Sequence, residues 1–221
     1  MSDETAGDLS DFLPMPHDPR ILLAVPQNGR AKLDSLWQLT VRITKLLDEV
    51  REPLIGQIKL AWWRDMMAML AEKPENLPKG EPLLAEMQVH WRGEAGLGAL
   101  VDAAEAVLMA EDQAERVKAA SEFGDQLFLL SGRAISAQPL PSSGARWGLL
   151  WAAYVHRGSE EAPEFLEAGK AASTPAKSTF GKGAKSLMML DRLAAQILSE
   201  NGARDYRREG MILLRVGLFG R

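Results

Sequence analysis

One segment of the chain places two tryptophans directly before two charged residues. Residues 52–70 read EPLIGQIKLAWWRDMMAML, so Trp62 and Trp63 are followed by Arg64 and Asp65. A helix that is apolar around most of its circumference is normally buried. Adjacent helical residues point about 100° apart, so one indole could pack in the core while the other lines a pocket for an apolar ligand. Core packing of both rings is the favoured interpretation, with Arg64 and Asp65 solvated or paired at the surface.

Conventional catalytic patterns are weak in this chain. His17, His90 and His156 lie far apart and have no partner at metal-ligand spacing, so each is predicted to be a surface or packing residue. The segment GKGAKS at 181–186 has the residue types of a phosphate loop but neither its spacing nor a preceding strand. Ser131 lacks the surroundings of a nucleophile elbow. These motifs therefore predict no catalytic residue and no metal ligand.

Composition excludes several classes of protein. The 221 residues include no cysteine, which excludes disulfides, thiolate metal sites and cysteine nucleophiles. The net charge of −4 argues against a nucleic-acid partner, because such proteins normally present a basic field. No run of about 18 apolar residues is present, so we expect no transmembrane segment. A cytoplasmic protein is predicted, and peripheral contact with a membrane is compatible with this prediction.

The chain is predicted to divide into a short tail and one helical domain. Residues 1–18 are rich in Asp, Ser and Pro and resemble neither a signal peptide nor a transit peptide. We expect them to form a flexible acidic tail. Asp18 and Pro19 are a good helix cap and first helical residue, so the domain is predicted to span 19–221.

Apolar residues recur at spacings of three and four through most of the domain. This spacing predicts helices over about 33–50, 53–71, 82–91, 96–110, 112–137, 147–157, 184–200 and 203–216, with shorter ones near 20–25 and 160–172. Alternating apolar and polar runs are missing, and β-branched residues are scarce. The prediction is an all-α, single-domain bundle of about eight helices.

Four short motifs occur in a distinctive order before residue 70. They are Asp18-Pro19-Arg20, Leu36-Trp37, Glu52-Pro53 and the run GQIKLAWWRD at 56–65. This order resembles the squalene/phytoene synthase family, in which the last region is close to E-P-x-x-G-x-I-R-L-Q-W-W-R-D. The ending LLRVGLFGR at 213–221 is similar to that of many bacterial members. Residues 18–70 carry the specific match, whereas 95–157 and 184–221 match only in helix order.

The resemblance implies an isoprenoid-synthase-like bundle. Active members of the family join two prenyl diphosphates head to head and hold magnesium between Asp-rich motifs on facing helices. Magnesium bound by carboxylates neutralises the charge of the departing diphosphate. Carboxylates four residues apart share a helix face, so a D-x-x-x-D motif can aim both at one metal.

The chain departs from that family pattern where the metal motifs belong. The alignment places Thr44 and Lys45 at the first pair of aspartates, and only Asp48, with Glu49 beside it, keeps an acidic character. A lysine opposes metal binding because its charge repels the cation. The second motif would lie in 147–157, which reads WGLLWAAYVHR and contains no acid. The resemblance therefore implies a member that has lost the metal chemistry.

Three functional hypotheses follow. The favoured one is a catalytically degenerate member that acts as an assembly or scaffold factor or binds an apolar lipid. The first alternative is an active prenyltransferase with a rearranged metal site, for which magnesium would be the cofactor. The second alternative is an unrelated helical interaction domain. Whether the protein is an enzyme is left open, with the balance against it.

Five residues are candidates for a pocket or substrate-binding site, and none is assigned a catalytic or metal-binding role. They are Arg20, Asp48, Trp62, Trp63 and Arg64. A prenyl or other apolar lipid, or a protein, is the expected partner. No cofactor is expected unless the prenyltransferase alternative holds.

Overall fold

Every regular element in the described residues is helical. The computed structural model describes residues 9–50, 52–137, 143–181 and 183–219. Its α-helices are α1 (Pro19–Leu22), α2 (Arg30–Glu49), α3 (Pro53–Glu72), α4 (Pro82–Trp91), α5 (Leu97–Met109), α6 (Gln113–Ala134), α7 (Ala145–Val155), α8 (Ala162–Ala171), α9 (Lys185–Ser199) and α10 (Tyr206–Phe219). They form one compact domain, so the prediction of an all-α, single-domain fold is confirmed.

Capping interactions explain the small differences in helix bounds. Helix α6 ends at Ala134 rather than near 137 because Ser136 adopts a φ of 57° and the N–H of Ala137 bonds back to the carbonyl of Gly132 at 2.7 Å. Helix α10 begins at Tyr206 rather than near 203. The carboxylate of Asp205 accepts the backbone N–H groups of the next turn, which fixes the start of the helix.

Proline separates the two longest helices of the N-terminal half. Helix α2 ends before Val50, which is extended, and α3 begins at Pro53 in the first helical position. Both helices are buried along one side, and α2 also packs against α4, α6 and α7. Helix α2 therefore contributes to both the central core and the surface beside α3.

Buried tryptophans form the centre of the core, and Trp37, Trp91, Trp147 and Trp151 each donate their indole N–H to a partner. Trp37 donates to the hydroxyl of Ser131 at 3.0 Å, and Trp147 donates to the carbonyl of Pro14 at 2.9 Å. The rings of Trp37 and Trp147 meet edge to face, with centroids 4.9 Å apart. Because a buried donor without a partner is costly, these bonds fix the orientation of the rings.

Helices α6 and α7 cross at a contact between glycines. A Cβ on Gly148 would clash with the backbone carbonyl of Ala120, and a Cβ on Gly124 would clash with that of Gly144. The absence of side chains allows the two backbones to touch. This close approach brings the aromatic residues of α7 into the core.

The domain begins earlier than predicted. Residues Leu9–Asp11 form a 3₁₀ turn, and Leu13 and Met15 are buried in the main core. The carbonyl of Pro14 is also the acceptor for Trp147. The part of the predicted tail from residue 9 onward is therefore packed, because its apolar side chains cover the core. Residues 1–8 lie outside the described part of the chain.

Large apolar side chains remain exposed in two main places. On α3 they are Leu54, Ile55, Ile58 and Trp62, and on α10 they are Met211, Leu214, Leu218 and Phe219. Within the described residues, no helix combines the length and apolar character needed to cross a bilayer. These surfaces are the ones that could meet an apolar partner.

Candidate functional site

Thr44 lies where the resemblance would place a metal-binding aspartate. Its side chain is buried in the contact between α2 and α7. The hydroxyl donates to the carbonyl of Thr40 at 2.7 Å and accepts the indole N–H of Trp151 at 2.8 Å. A neutral hydrogen bond therefore joins the two helices at this point.

Asp48 is exposed, and its charge is paired within the protein. It forms an ion pair with Arg157 at 2.7 Å, just beyond the end of α7. The hydrogen bond to Asp48 raises the pKa of Arg157, and the guanidinium also lies 4.1 Å from the ring centroid of Tyr154. The negative charge of Asp48 is thus balanced within the protein.

The donor set between α2 and α7 does not fit a magnesium cluster. Among the described residues, no group of three or more histidine, aspartate or glutamate side chains is placed to hold a metal ion. Lys45 is exposed beside Thr44 and contributes a positive charge. Magnesium prefers several oxygen ligands with negative charge, which this interface does not supply.

Aromatic rings fill the space between these helices. Trp151 stacks on Phe123, with ring centroids 3.7 Å apart and planes inclined by 17°. Trp37 and Trp147 lie in the same buried cluster, and all four rings are almost fully inaccessible. The part of the bundle that would hold the chemistry is therefore packed core.

The two adjacent tryptophans have different environments. Trp63 is 4% exposed and packs in the core, whereas Trp62 is 41% exposed. Their rings meet edge to face, with centroids 5.0 Å apart. The favoured prediction that both rings are core residues is wrong, because the 100° step between neighbours turns Trp62 away from the buried side of α3.

Trp62 and Trp63 form one wall of a surface pocket between α2 and α3. The pocket has a volume of about 310 Å³ and is open to solvent. Its lining consists of Arg42, Lys45, Leu46, Glu49, Lys59, Trp62 and Trp63. We call it the Trp62 pocket. It is a hollow in the surface and not an interior cavity.

The charges around the Trp62 pocket are mainly positive. Lys45 and Lys59 are exposed and make no ion pair within the described residues. Arg42 is balanced by Glu81 at 2.9 Å. Glu49 is the one acid in the lining as described, and it makes no ion pair with another described residue. Two unpaired ammonium groups and one carboxylate leave a net positive field beside an aromatic wall.

Arg64 lies outside the pocket and bridges two helices. Its guanidinium bonds the carboxylates of Asp102 and Glu105 on α5. These hydrogen bonds raise the pKa of Arg64. The prediction of a charge paired at the helix surface is confirmed for Arg64. Its partners hold it toward α5, so it does not line the Trp62 pocket.

Arg20 is also remote from the Trp62 pocket. It bonds Asp18 at 2.6 Å and the buried Glu209 of α10 at 2.9 Å. Of the five candidate residues, the structure brings only Trp62 and Trp63 together in one pocket. Asp48, Arg64 and Arg20 each form a separate ion pair that holds helices or turns together.

Sequence patterns missed the cationic part of the pocket. From the sequence, Lys45 is recognised only as a residue unsuited to magnesium. Lys59 is recognised only as part of the motif GQIKLAWWRD. A helical projection places Lys59 three residues before Trp62, on a neighbouring part of the same surface. The approach of Lys45 from α2 depends on how the two helices pack, which local spacing does not encode.

Comparison with known proteins adds no assignment. No protein-family model, curated protein or solved structure matches this chain. The resemblance to the squalene/phytoene synthase family therefore stays a prediction.

Proposed function

We propose that this protein is a non-catalytic binding protein that holds an anionic, amphipathic lipid in the Trp62 pocket. The observation that carries the proposal is the pairing of an aromatic wall with two unpaired lysines. Trp62, Trp63 and Leu46 offer apolar contact, and Lys45 and Lys59 offer positive charge a short distance away. A ligand that matches both parts has an apolar chain and a phosphate or carboxylate head group.

The physical basis of such binding is direct. Covering the exposed surface of Trp62 with an apolar chain removes it from water, and each buried methylene contributes about 0.8 kcal/mol. The lysines supply point charges that attract phosphate without a bridging metal. Because the pocket is open, the chain of a long lipid can extend beyond it along the exposed apolar residues Ile58 and Leu54 of α3.

Loss of the family's reaction is the other half of the proposal. Departure of diphosphate requires strong neutralisation of charge in the transition state. Where the resemblance would place the metal site, Thr44 of α2 bonds Trp151 of α7, and Phe123 of α6 stacks on Trp151. Lys45 lines the Trp62 pocket instead, and the described residues supply no set of carboxylates for magnesium.

The binding proposal is tested by reversing the charge of the pocket. In the double variant Lys45→Glu/Lys59→Glu, we expect the affinity for farnesyl diphosphate to fall by at least about tenfold, because attraction becomes repulsion. Trp62→Ala should weaken binding of both the diphosphate and the uncharged alcohol farnesol. Isothermal titration calorimetry in the presence of EDTA provides the measurement.

Lys118→Glu is the matched control, because Lys118 is strongly exposed on α6 and does not line the pocket. The affinity of the Lys118→Glu variant for farnesyl diphosphate should equal that of the unmodified protein. Binding of similar strength in the control and in the Lys45/Lys59 variant would contradict the proposed site. A titration with lysophosphatidic acid tests whether the pocket distinguishes acyl from prenyl chains. If recognition depends only on charge and apolar character, both kinds of lipid should bind.

A further inference from the structure

The outer face of α10 carries an apolar stripe that the described part of the protein does not cover. Met211, Leu214 and Leu218 follow one another at spacings of three and four residues and are 61%, 63% and 67% exposed. Leu213 and Glu209 lie on the opposite, buried side. The stripe therefore points directly away from the core, which is unusual for a helix of a globular domain.

Positive charge accompanies this stripe. Arg207 and Arg215 are exposed and have no ion-pair partner among the described residues. Arg208 is exposed as well, but it pairs with Glu200 and Asp205. Two arginines thus remain free to attract an anionic surface beside the apolar side chains.

The single acid of the described part of α10 is turned inward. Glu209 is fully buried and accepts bonds from Arg20 at 2.9 Å and from Arg204 at 2.6 Å. Its charge is therefore neutralised and does not contribute to the outer face. The exposed surface of the helix combines arginines with apolar residues and contains no carboxylate of its own.

The apolar surface continues onto α1. Leu23, at the end of α1, is 87% exposed. It shares with Leu214 and Leu218 a groove of about 540 Å³, which Gly210 and Gly217 leave open because they add no side chain. We call Leu23, Met211, Leu214 and Leu218, with Arg207 and Arg215, the α1/α10 face.

We propose that the α1/α10 face docks on an anionic lipid bilayer. An amphipathic helix with arginines around an apolar stripe lies in the interface of such membranes, where its side chains enter the head-group region and its cations meet acidic lipids. Tyr206 and Phe219, 56% and 65% exposed, stand at the two ends of α10 as aromatic residues do at membrane interfaces. This inference goes beyond the Trp62 pocket and rests on different residues.

A bilayer fits the α1/α10 face better than a folded acidic protein does. The apolar side chains project from the outermost helix instead of lining a deep cleft, and they include flexible methionine and leucine. A fluid interface adapts to projecting side chains, whereas a protein partner needs a complementary groove. Two unpaired arginines match a surface of many anionic head groups without a specific geometry.

Sedimentation with vesicles tests the proposal. The unmodified protein should bind vesicles of phosphatidylcholine with phosphatidylglycerol more strongly than vesicles of phosphatidylcholine alone, and high salt should reduce the difference. In Arg207→Glu/Arg215→Glu we expect partitioning to fall at least about tenfold. In Leu214→Ser/Leu218→Ser a loss of at least about tenfold is expected from the apolar surface removed.

The matched control changes another exposed apolar and basic pair. Val89→Ser/Arg92→Glu alters a strongly exposed valine of α4 and the arginine that follows the helix, and it should bind vesicles as the unmodified protein does. Circular dichroism and urea unfolding check that all variants are folded. Equal vesicle binding by the control and both α1/α10 variants would overturn the proposal. This result would also be expected if the face binds a protein and not a bilayer.

A site-specific label distinguishes docking by α10 from docking by the Trp62 pocket. The chain has no cysteine, so Leu218→Cys can be labelled uniquely with an environment-sensitive fluorophore. We expect its emission to shift to the blue on anionic vesicles, while the same label at Val89→Cys does not shift. If Lys45→Glu/Lys59→Glu abolishes vesicle binding and the α1/α10 variants retain it, this inference fails although the Trp62 pocket stands.

Discussion

At the scale of single residues, Thr44 shows most clearly how this chain differs from a metal-dependent synthase. An aspartate at that position would have to lose water in the middle of the α2–α7 contact. Threonine instead accepts the indole N–H of Trp151 and donates to the backbone of its own helix. The position therefore stabilises the packing of aromatic rings and presents no charge to a ligand.

Removal of this hydroxyl should destabilise the protein. Thr44→Val keeps the shape of the side chain but leaves the buried N–H of Trp151 without an acceptor, which we expect to cost about 1–3 kcal/mol. Urea unfolding followed by circular dichroism measures the change. Thr44→Ser retains the acceptor and serves as the comparison. A larger loss for Thr44→Ser than for Thr44→Val would show that the methyl group, and not the hydrogen bond, matters at this site.

Asp18 carries a pH-dependent part of the stability. Partial burial alone would raise the pKa of this carboxyl, but the bonds from the side chain and backbone of Arg20 outweigh burial and lower the pKa below its ordinary value of 3.8. The folded state thus binds this proton less readily than the unfolded chain. The stabilisation is present above about pH 3.8 and is lost as the pH falls through the lower, folded-state pKa.

Asp18→Asn should remove this dependence while keeping a helix-capping side chain. We expect the variant to have a free energy of unfolding about 1 kcal/mol lower than that of the unmodified protein at neutral pH. In acid, the free energies of unfolding of the two proteins should be closer to each other. Asp65→Asn, which changes an exposed acid without an ion pair in the described structure, is the control. A difference in free energy of unfolding between Asp18→Asn and the unmodified protein that stays constant down to acid pH would contradict the role assigned to Asp18.

At the scale of helices, the α6–α7 crossing is the most constrained contact. Both backbones touch at Gly124, Gly144 and Gly148, so neither helix can accept a side chain there without moving. Packed interiors respond to such insertion with displacement of whole elements, because they have little free volume. The contact also holds Trp147 and Trp151 of α7 in the core.

Gly148→Ala is therefore expected to destabilise the fold by about 3 kcal/mol or more. Gly98→Ala provides a matched change, since Gly98 is also helical but a Cβ there meets nothing within 4 Å. That control should alter stability by about 1 kcal/mol or less, in the stabilising direction. Thermal and urea unfolding measure the stabilities of the Gly148→Ala and Gly98→Ala variants. Similar stabilities for both variants would contradict the close contact between the α6 and α7 backbones.

Local sequence patterns predicted the helices better than the sites. The spacing of apolar residues and the prolines and caps around Pro53, Pro82 and Asp112 determine helix bounds, because these signals act within a few residues. One partner of Arg20 lies on α10, and both partners of Arg64 lie on α5. Such long-range contacts decide which charges remain free for a ligand, and no local pattern contains them.

At the scale of the whole molecule, the interior and the surface have separate roles. The centre is filled by aromatic rings whose polar atoms are paired within the protein. Exposed apolar residues are found instead on α3, beside unpaired lysines, and on α10, beside unpaired arginines. This distribution supports our proposals of lipid binding and membrane docking over catalysis in the bundle.

Dependence on magnesium tests the central claim most directly. Titration of farnesyl diphosphate into the protein, with EDTA or with excess Mg²⁺, should give the same affinity within about twofold, because lysines and not a metal hold the head group. Diphosphate released into the same samples should not exceed that in protein-free controls. Binding that requires Mg²⁺, or release of diphosphate that depends on the protein, would contradict the account and favour an active prenyltransferase.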